Sequence, residues 1–188
     1  MGVRAIAVGI VFATAAWLSA QERAIDTQRS TITIRVGKTG FLSAAAHDHL
    51  VSAPIASGSI DETALRVEFK VASAKMTVRP DPHDDDRTQA TIQKDMEEMT
   101  LETSRYPEIA FQSTHAERVS SDVFKVDGVL TLHGASKALN LFVRRDGQSY
   151  TGHVVIVQTD FGIKPVSIGG GMIKVKDPVN IDFQVFAR

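Results

Sequence analysis

Apolar and polar side chains alternate one for one through much of the chain. Leu65, Val67, Phe69 and Val71 are interleaved with Arg66, Glu68 and Lys70, and Val179, Ile181, Phe183 and Val185 with Asn180, Asp182 and Gln184. Successive side chains of a β-strand point to opposite faces, so a period of two predicts strands with one dry and one wet face. Shorter stretches repeat the pattern: Ile32, Ile34 and Val36; Ile109 and Phe111; Phe124, Val126, Leu130 and Leu132; Leu139, Leu141 and Val143; Val154 and Ile156. Turn-forming pairs punctuate them. His133-Gly134 predicts a reversal, Asp146-Gly147 a hairpin, and Asp127-Gly128 a strand interior or bulge. The pattern predicts about eight strands.

One segment departs from this period. Between Arg87 and Leu101, Ile92, Met96 and Met99 fall at i, i+4 and i+7, and Asp84, Asp85 and Asp86 precede them. This predicts one amphipathic helix, inserted between the third and fourth strands, with acids at the end where its dipole favours them. Antiparallel strands with a single helix predict an all-β domain, either a barrel or a sandwich. A sandwich fills the space between its sheets with bulky side chains. Here the one tryptophan is Trp17, and Val, Ile and Leu carry most inward positions. That choice of residues favours an eight-stranded antiparallel barrel with room for one elongated apolar ligand.

The first twenty residues follow another rule. Arg4 supplies a positive region, Ala5 to Leu18 an apolar core, and Leu18-Ser19-Ala20 a cleavage site, which predicts a signal peptide at 1–20 and a mature domain at 21–188. Gln21, Glu22 and Arg23 end the apolar stretch short of a membrane span, so the expected product is periplasmic or secreted with no stable span after cleavage. There is no cysteine, which excludes a disulfide framework, a thiolate metal site and a lipoprotein anchor. The formal charge of −1, with Lys and Arg scattered singly, excludes a nucleic-acid footprint. Oligomeric state is open, a homodimer included.

Several phrases follow one another along the chain: Gly40-Phe41 after an early strand, the helix to Leu101, Arg105-Tyr106-Pro107-Glu108-Ile109-Ala110-Phe111-Gln112-Ser113, Val126 to Gly134, Thr159-Asp160-Phe161-Gly162-Ile163, and Val175-Lys176-Asp177-Pro178-Val179. Together they resemble the YceI-like family of exported, lipocalin-like barrels associated with polyisoprenoids and other amphiphilic lipids. The resemblance spans about Ser30 to Ala187. It implies a binding protein with no catalytic residue and no cofactor, whose partner is a lipid or isoprenoid.

The inward apolar positions of such a barrel, Ile34, Val67, Phe69, Phe111, Leu130, Leu141, Ile181 and Phe183, are the expected ligand wall. Met96 and Met99 either adapt the helix to a bound chain or fill the core beneath it. Phe41 and Phe161 either line the mouth or plug it.

The chemistry-bearing cluster is His47-Asp48-His49, following Phe41 to Ala46. On a strand both imidazoles share a face, which suits a metal if a third ligand arrives, with His133, His153 and Asp160 as candidates. The alternative is contact with a lipid head group, assisted by Lys164, Lys174 or Lys176. Ser43 lies near His47 and Asp48, but no nucleophile elbow surrounds it. The run Ser167 to Met172 lacks the Lys of a phosphate loop. Asp81 to Asp86 misses the calcium-loop spacing, because position twelve is Ile92, and is expected to be a solvated loop. Two rivals remain: a metal-binding protein or metal-dependent enzyme using His47 and His49, and a structural barrel filled by its own side chains.

Overall fold

The computed structural model describes residues 22–40 and 47–188. The signal-peptide expectation and Phe41 lie outside the described residues. In chain order the strands are β1 Glu22–Ala24, β2 Thr31–Val36, β3 Lys38–Thr39, β4 His49–Ser52, β5 Ile55–Asp61, β6 Arg66–Ala72, β7 Thr77–Val78, β8 Glu108–Arg118, β9 Val123–Leu132, β10 Ala135–Asp146, β11 Ser149–Val157, β12 Ser167–Ile168, β13 Ile173–Val175 and β14 Pro178–Phe186, with helix α1 at Asp86–Asp95 between β7 and β8. Every pairing is antiparallel.

Eleven of these strands form one curled sheet in the order β1-β5-β6-β8-β9-β10-β11-β14-β2-β4-β7, and β12-β13-β3 form a small second sheet. The count therefore differs from the eight expected. One reason is local: Ala53-Pro54 separates β4 from β5, since proline has no N–H for a ladder. Although adjacent in the chain, β4 pairs with β2 and β5 with β6, near opposite ends of the sheet order. Connectivity thus draws those ends together. A bridge between Ile25 and Ala187 and the bond from Asp26 N to Phe186 O bring β1 onto the tail of β14 as well.

Alternation sets the faces as predicted. Along β9, Phe124, Val126, Leu130 and Leu132 are buried, and Val179 and Val185 of β14 join the same core. Leu65 is an exception, because it takes φ 52 in the turn before β6 instead of extending that strand. The reversal at His133-Gly134 has φ 52 and 75, the left-handed pair that matches strand twist in a two-residue hairpin. Asp127-Gly128 faces a bulge in β8, where Thr114 is the extra residue between Ser113 and His115.

Helix α1 starts where its acids predicted. Asp85 is the N-cap, its carboxylate accepting from Thr88 N at 2.7 Å. That bond holds the Asp85 carboxyl below the usual carboxylate range. The helix then widens into a π-turn over Met96–Thr100, closed by Leu101 N donating to Met96 O. Gln89 and Gln93 tie α1 to β7: Gln93 Oε1 accepts from Val78 N, and both amides donate to the Met76–Val78 backbone.

Candidate ligand cavity

The curled sheet and the end of α1 enclose a cavity of about 260 Å³. Its wall is the inner row of each long strand: Ile34 and Val36 of β2, Val67 and Phe69 of β6, Phe111 of β8, Leu130 of β9, Leu141 of β10, and Ile181 and Phe183 of β14. Phe69 and Phe111 stack with ring centroids 5.5 Å apart. Two glycines shape the space. A Cβ at Gly128 would meet the Phe111 ring, and one at Gly152 the Phe183 ring, so both rings lie flat along the wall instead of projecting from it.

Polar groups touch the cavity only near its ends. At one end, Tyr150 donates its hydroxyl to Glu62, whose carboxylate also receives Arg145 at 2.7 Å and Arg23 at 3.5 Å. Burial, then the Glu62 charge, push the Tyr150 hydroxyl up to about 12. At the other end are Thr100 of the π-turn and Gln158, buried and donating to Lys176 O and Asp177 O. From Tyr150 to Gln158 the backbone of β11 spans roughly 26 Å at strand rise. This is an elongated apolar chamber with polar anchors at its two ends.

The positions expected on a ligand wall divide cleanly. Ile34, Val67, Phe69, Met96, Phe111, Leu130, Leu141, Ile181 and Phe183 all border the cavity. Met99 does not, being 72 % exposed. The π-turn advances each residue by less than the ~100° of an α-helix, so Met99 swings off the face that Met96 keeps buried. Phe161 is buried outside the cavity lining, in a 3₁₀ turn that ends at Gly162. Lys174 is exposed on β13, in the small sheet.

His49 stands opposite Val36 in the β2–β4 ladder and two residues before the buried Val51, which places it on the cavity-facing side of β4. Asp48 points away, accepting from Lys38 N. None of the candidate third ligands joins the imidazoles. His133 sits between Phe161 O and Glu102 Oε1, at 3.2 Å from each; His153 points outward to Asp182 at 2.8 Å; Asp160 is exposed in the 3₁₀ turn. Instead the loop before α1 supplies the neighbours. Asp84 Oδ2 lies 3.1 Å from His47 Nε2 and 3.9 Å from His49 Nδ1, and Asp81 Oδ1 lies 3.8 Å from His47 Nε2. Burial and the adjacent His47 lower the His49 pKa from its ordinary value. Asp81 and Asp84 thus set negative charge beside both imidazoles, which opposes a phosphate there and favours a cation.

Sequence reasoning missed Asp81, Asp84, Glu62 and Tyr150. The first two were read as loop; they return to the histidines because β7 pairs with β4, Val51 against Val78, and Arg79 N donates to Leu50 O. Tyr150 had a legible signal, since it continues the inward row of Val154 and Ile156 at even spacing.

The phrases that carry the family resemblance are structural joints. Ser73 receives the Tyr106-Pro107 turn, its N donating to Pro107 O and its Oγ to Tyr106 O at 2.7 Å. The Tyr106 ring covers Gly134, where a Cβ would come within 2.7 Å of it, and packs 4.2 Å from the His133 ring. Asp177 accepts from Thr159 N and Thr159 Oγ1, clasping two of the phrases together.

The YceI-like domain model matches residues 24–187. The chain belongs to the YceI-like family. Three solved structures share the fold of this YceI-like protein. BcnA from Burkholderia cenocepacia is 16 % identical, with a TM-score of 0.59 over 87 % of this chain and 99 % of its own. A polyisoprenoid binding domain from Saccharophagus degradans, implicated in plant cell wall breakdown, is 13 % identical, with a TM-score of 0.61 over 88 % and 97 %. A mutant YceI protein from Campylobacter jejuni is 15 % identical, with a TM-score of 0.53 over 73 % and 81 %. No curated protein matches the chain. Among the described residues, no helix is long and apolar enough to cross a membrane.

Proposed function

We propose that this YceI-like protein is an exported, non-catalytic carrier that holds an elongated amphiphile, a polyisoprenoid or an isoprenoid quinone, in the barrel cavity. The observation that carries this reading is the chamber itself: apolar along its length, polar only near its ends. Burying hydrocarbon contributes about 0.8 kcal/mol per methylene, hence about 4 kcal/mol per five-carbon isoprene unit before ordering costs. Affinity then grows with chain length and needs no specific polar contact. The polyisoprenoid binding domain of Saccharophagus degradans, similar in fold, supports the choice of ligand class. Residues 1–20 act in this reading as the export signal, and the protein works in the periplasm or outside the cell. Lys174 is the head-group contact retained from the sequence.

The test is organic extraction of protein expressed with its own leader and purified without detergent, followed by mass spectrometry. A prenyl lipid or quinone near one per protein is expected, with a mature N-terminus near Gln21. An extract free of amphiphile, together with no uptake of a fluorescent polyprenol by delipidated protein, overturns the carrier reading. An intact Met1 on the purified chain overturns the processed-export reading alone.

A further inference from the structure

We propose that His47, His49 and Asp84, with Asp81 beside them, form a binding site for a divalent transition metal of the zinc class. The donor atoms come from two segments far apart in sequence, yet the His47, His49 and Asp84 ligand atoms lie within 4.8 Å of one another. Zinc–nitrogen and zinc–oxygen bonds of about 2.0–2.1 Å in a tetrahedron put the ligand atoms about 3.3 Å apart. The separations of 3.1 and 3.9 Å from Asp84 Oδ2 to the two imidazole nitrogens bracket that edge. Small side-chain rotations close the set around an ion.

Two further observations point to a cation. His49 Nδ1 is buried and has no hydrogen-bond partner among the described residues. Such an orphan costs free energy unless something occupies it, and a metal takes its lone pair. The Asp84 side chain is only 7 % exposed, and its ion-pair partners among the described residues are His47 and His49, with no Lys or Arg beside it. A carboxylate covered in this way calls for positive charge.

Asp81 adjoins the set through His47 and groups with His47 and His83. His83 donates to Asp81 Oδ1 from its backbone N at 2.9 Å and stands 2.7 Å from it through Nδ1, which fixes that carboxylate beside the site. Two imidazoles and one carboxylate with an open fourth position suit zinc, and also nickel or copper. They disfavour calcium and magnesium, which take six or more oxygens, and no thiolate is available for softer ions. His49 faces the cavity side of β4 opposite Val36, so the ion would sit at the end of the inner row.

The experiment is calorimetric titration of untagged, chelator-treated protein with zinc, paralleled by the visible spectrum of the cobalt-loaded form. One equivalent binding at micromolar concentration or tighter, with a tetrahedral cobalt spectrum, is expected. Asp84→Asn and His49→Gln each weaken zinc binding by about tenfold or more. His153→Ala, which removes the outward histidine paired with Asp182, leaves it unchanged. Circular dichroism of each variant separates lost binding from lost folding. No zinc bound by the wild-type protein, wild-type affinity in both folded site variants, or loss of binding in His153→Ala overturns the proposal. Lipid retention measured on the metal-free protein reads the carrier function separately.

Discussion

Replacing Tyr150 with Phe removes one hydroxyl and changes little else, and its effect on stability reverses sign with pH. At neutral pH the hydroxyl donates to the Glu62 carboxylate, a bond to a charged group worth about 1.5–3 kcal/mol. Glu62 keeps Arg145 and Arg23 when it is lost, so the low end, about 1.5 kcal/mol, is the expected cost. The folded-state pKa of Tyr150 is raised from 10.0 to about 12, chiefly by burial and then by Glu62. Below pH 10 the hydroxyl is neutral in both folded and unfolded chains, and the wild type holds its full advantage. Between about pH 10 and 12 the unfolded chain releases this proton and the folded one does not. The unfolded state is therefore favoured by about 3 kcal/mol across the window. Tyr150→Phe has no such proton to lose. The two stability curves then cross near pH 11, where about half of the linkage energy has been spent.

Urea unfolding followed by circular dichroism, at intervals from pH 8 to 11.5, measures both curves. Every other ionisable group is common to the two proteins and cancels in the difference. A gap between wild type and Tyr150→Phe that stays constant across this range refutes the assignment of a buried, Glu62-paired hydroxyl.

Four other substitutions separate cavity from core. Gly128→Ala sets a Cβ against both the Phe111 ring and the Gln112 carbonyl, so wall and ladder must shift, with an overpacking cost of about 3 kcal/mol and reduced retention of a fluorescent polyprenol; retention equal to wild type argues against the chamber as the binding place. Met99→Gln changes stability by less than about 0.5 kcal/mol in thermal denaturation, whereas Met96→Ala, at a buried site on the wall, costs about 2 kcal/mol or more. Phe161→Leu lowers stability by about 1 kcal/mol without altering polyprenol retention, because Phe161 packs outside the chamber; parallel losses in both assays place it on the ligand path instead.

What the sequence made legible, and what it hid, follows from the range of the interactions involved. A period of two is a property of neighbours, so the inward rows of β6, β9 and β14 and eight members of the cavity wall were readable from the string alone, with Met96 added by the helical period. The start of α1 was readable for the same reason, since an Asp cap acts within three residues. Met99 was misplaced because a helical period was extended through a turn that widened to i→i+5 bonding, and nothing in Met96–Thr100 announces that change. The break between β4 and β5 at Ala53-Pro54 is local and visible, but its consequence is not: it sends one continuous stretch to two distant places in the sheet order. The histidine cluster was hidden more deeply. His47 and His49 declare a shared face, yet their partners depend on two ladder positions between β4 and β7, a pairing no period encodes. That short pairing turns an acid-rich loop, which by composition reads as solvent-exposed, into one wall of a donor set. A substitution that unpairs β7 from β4 should therefore disperse the cluster while leaving the inner rows of the long strands intact, which makes the chamber and the histidine site separable parts of the same curled sheet.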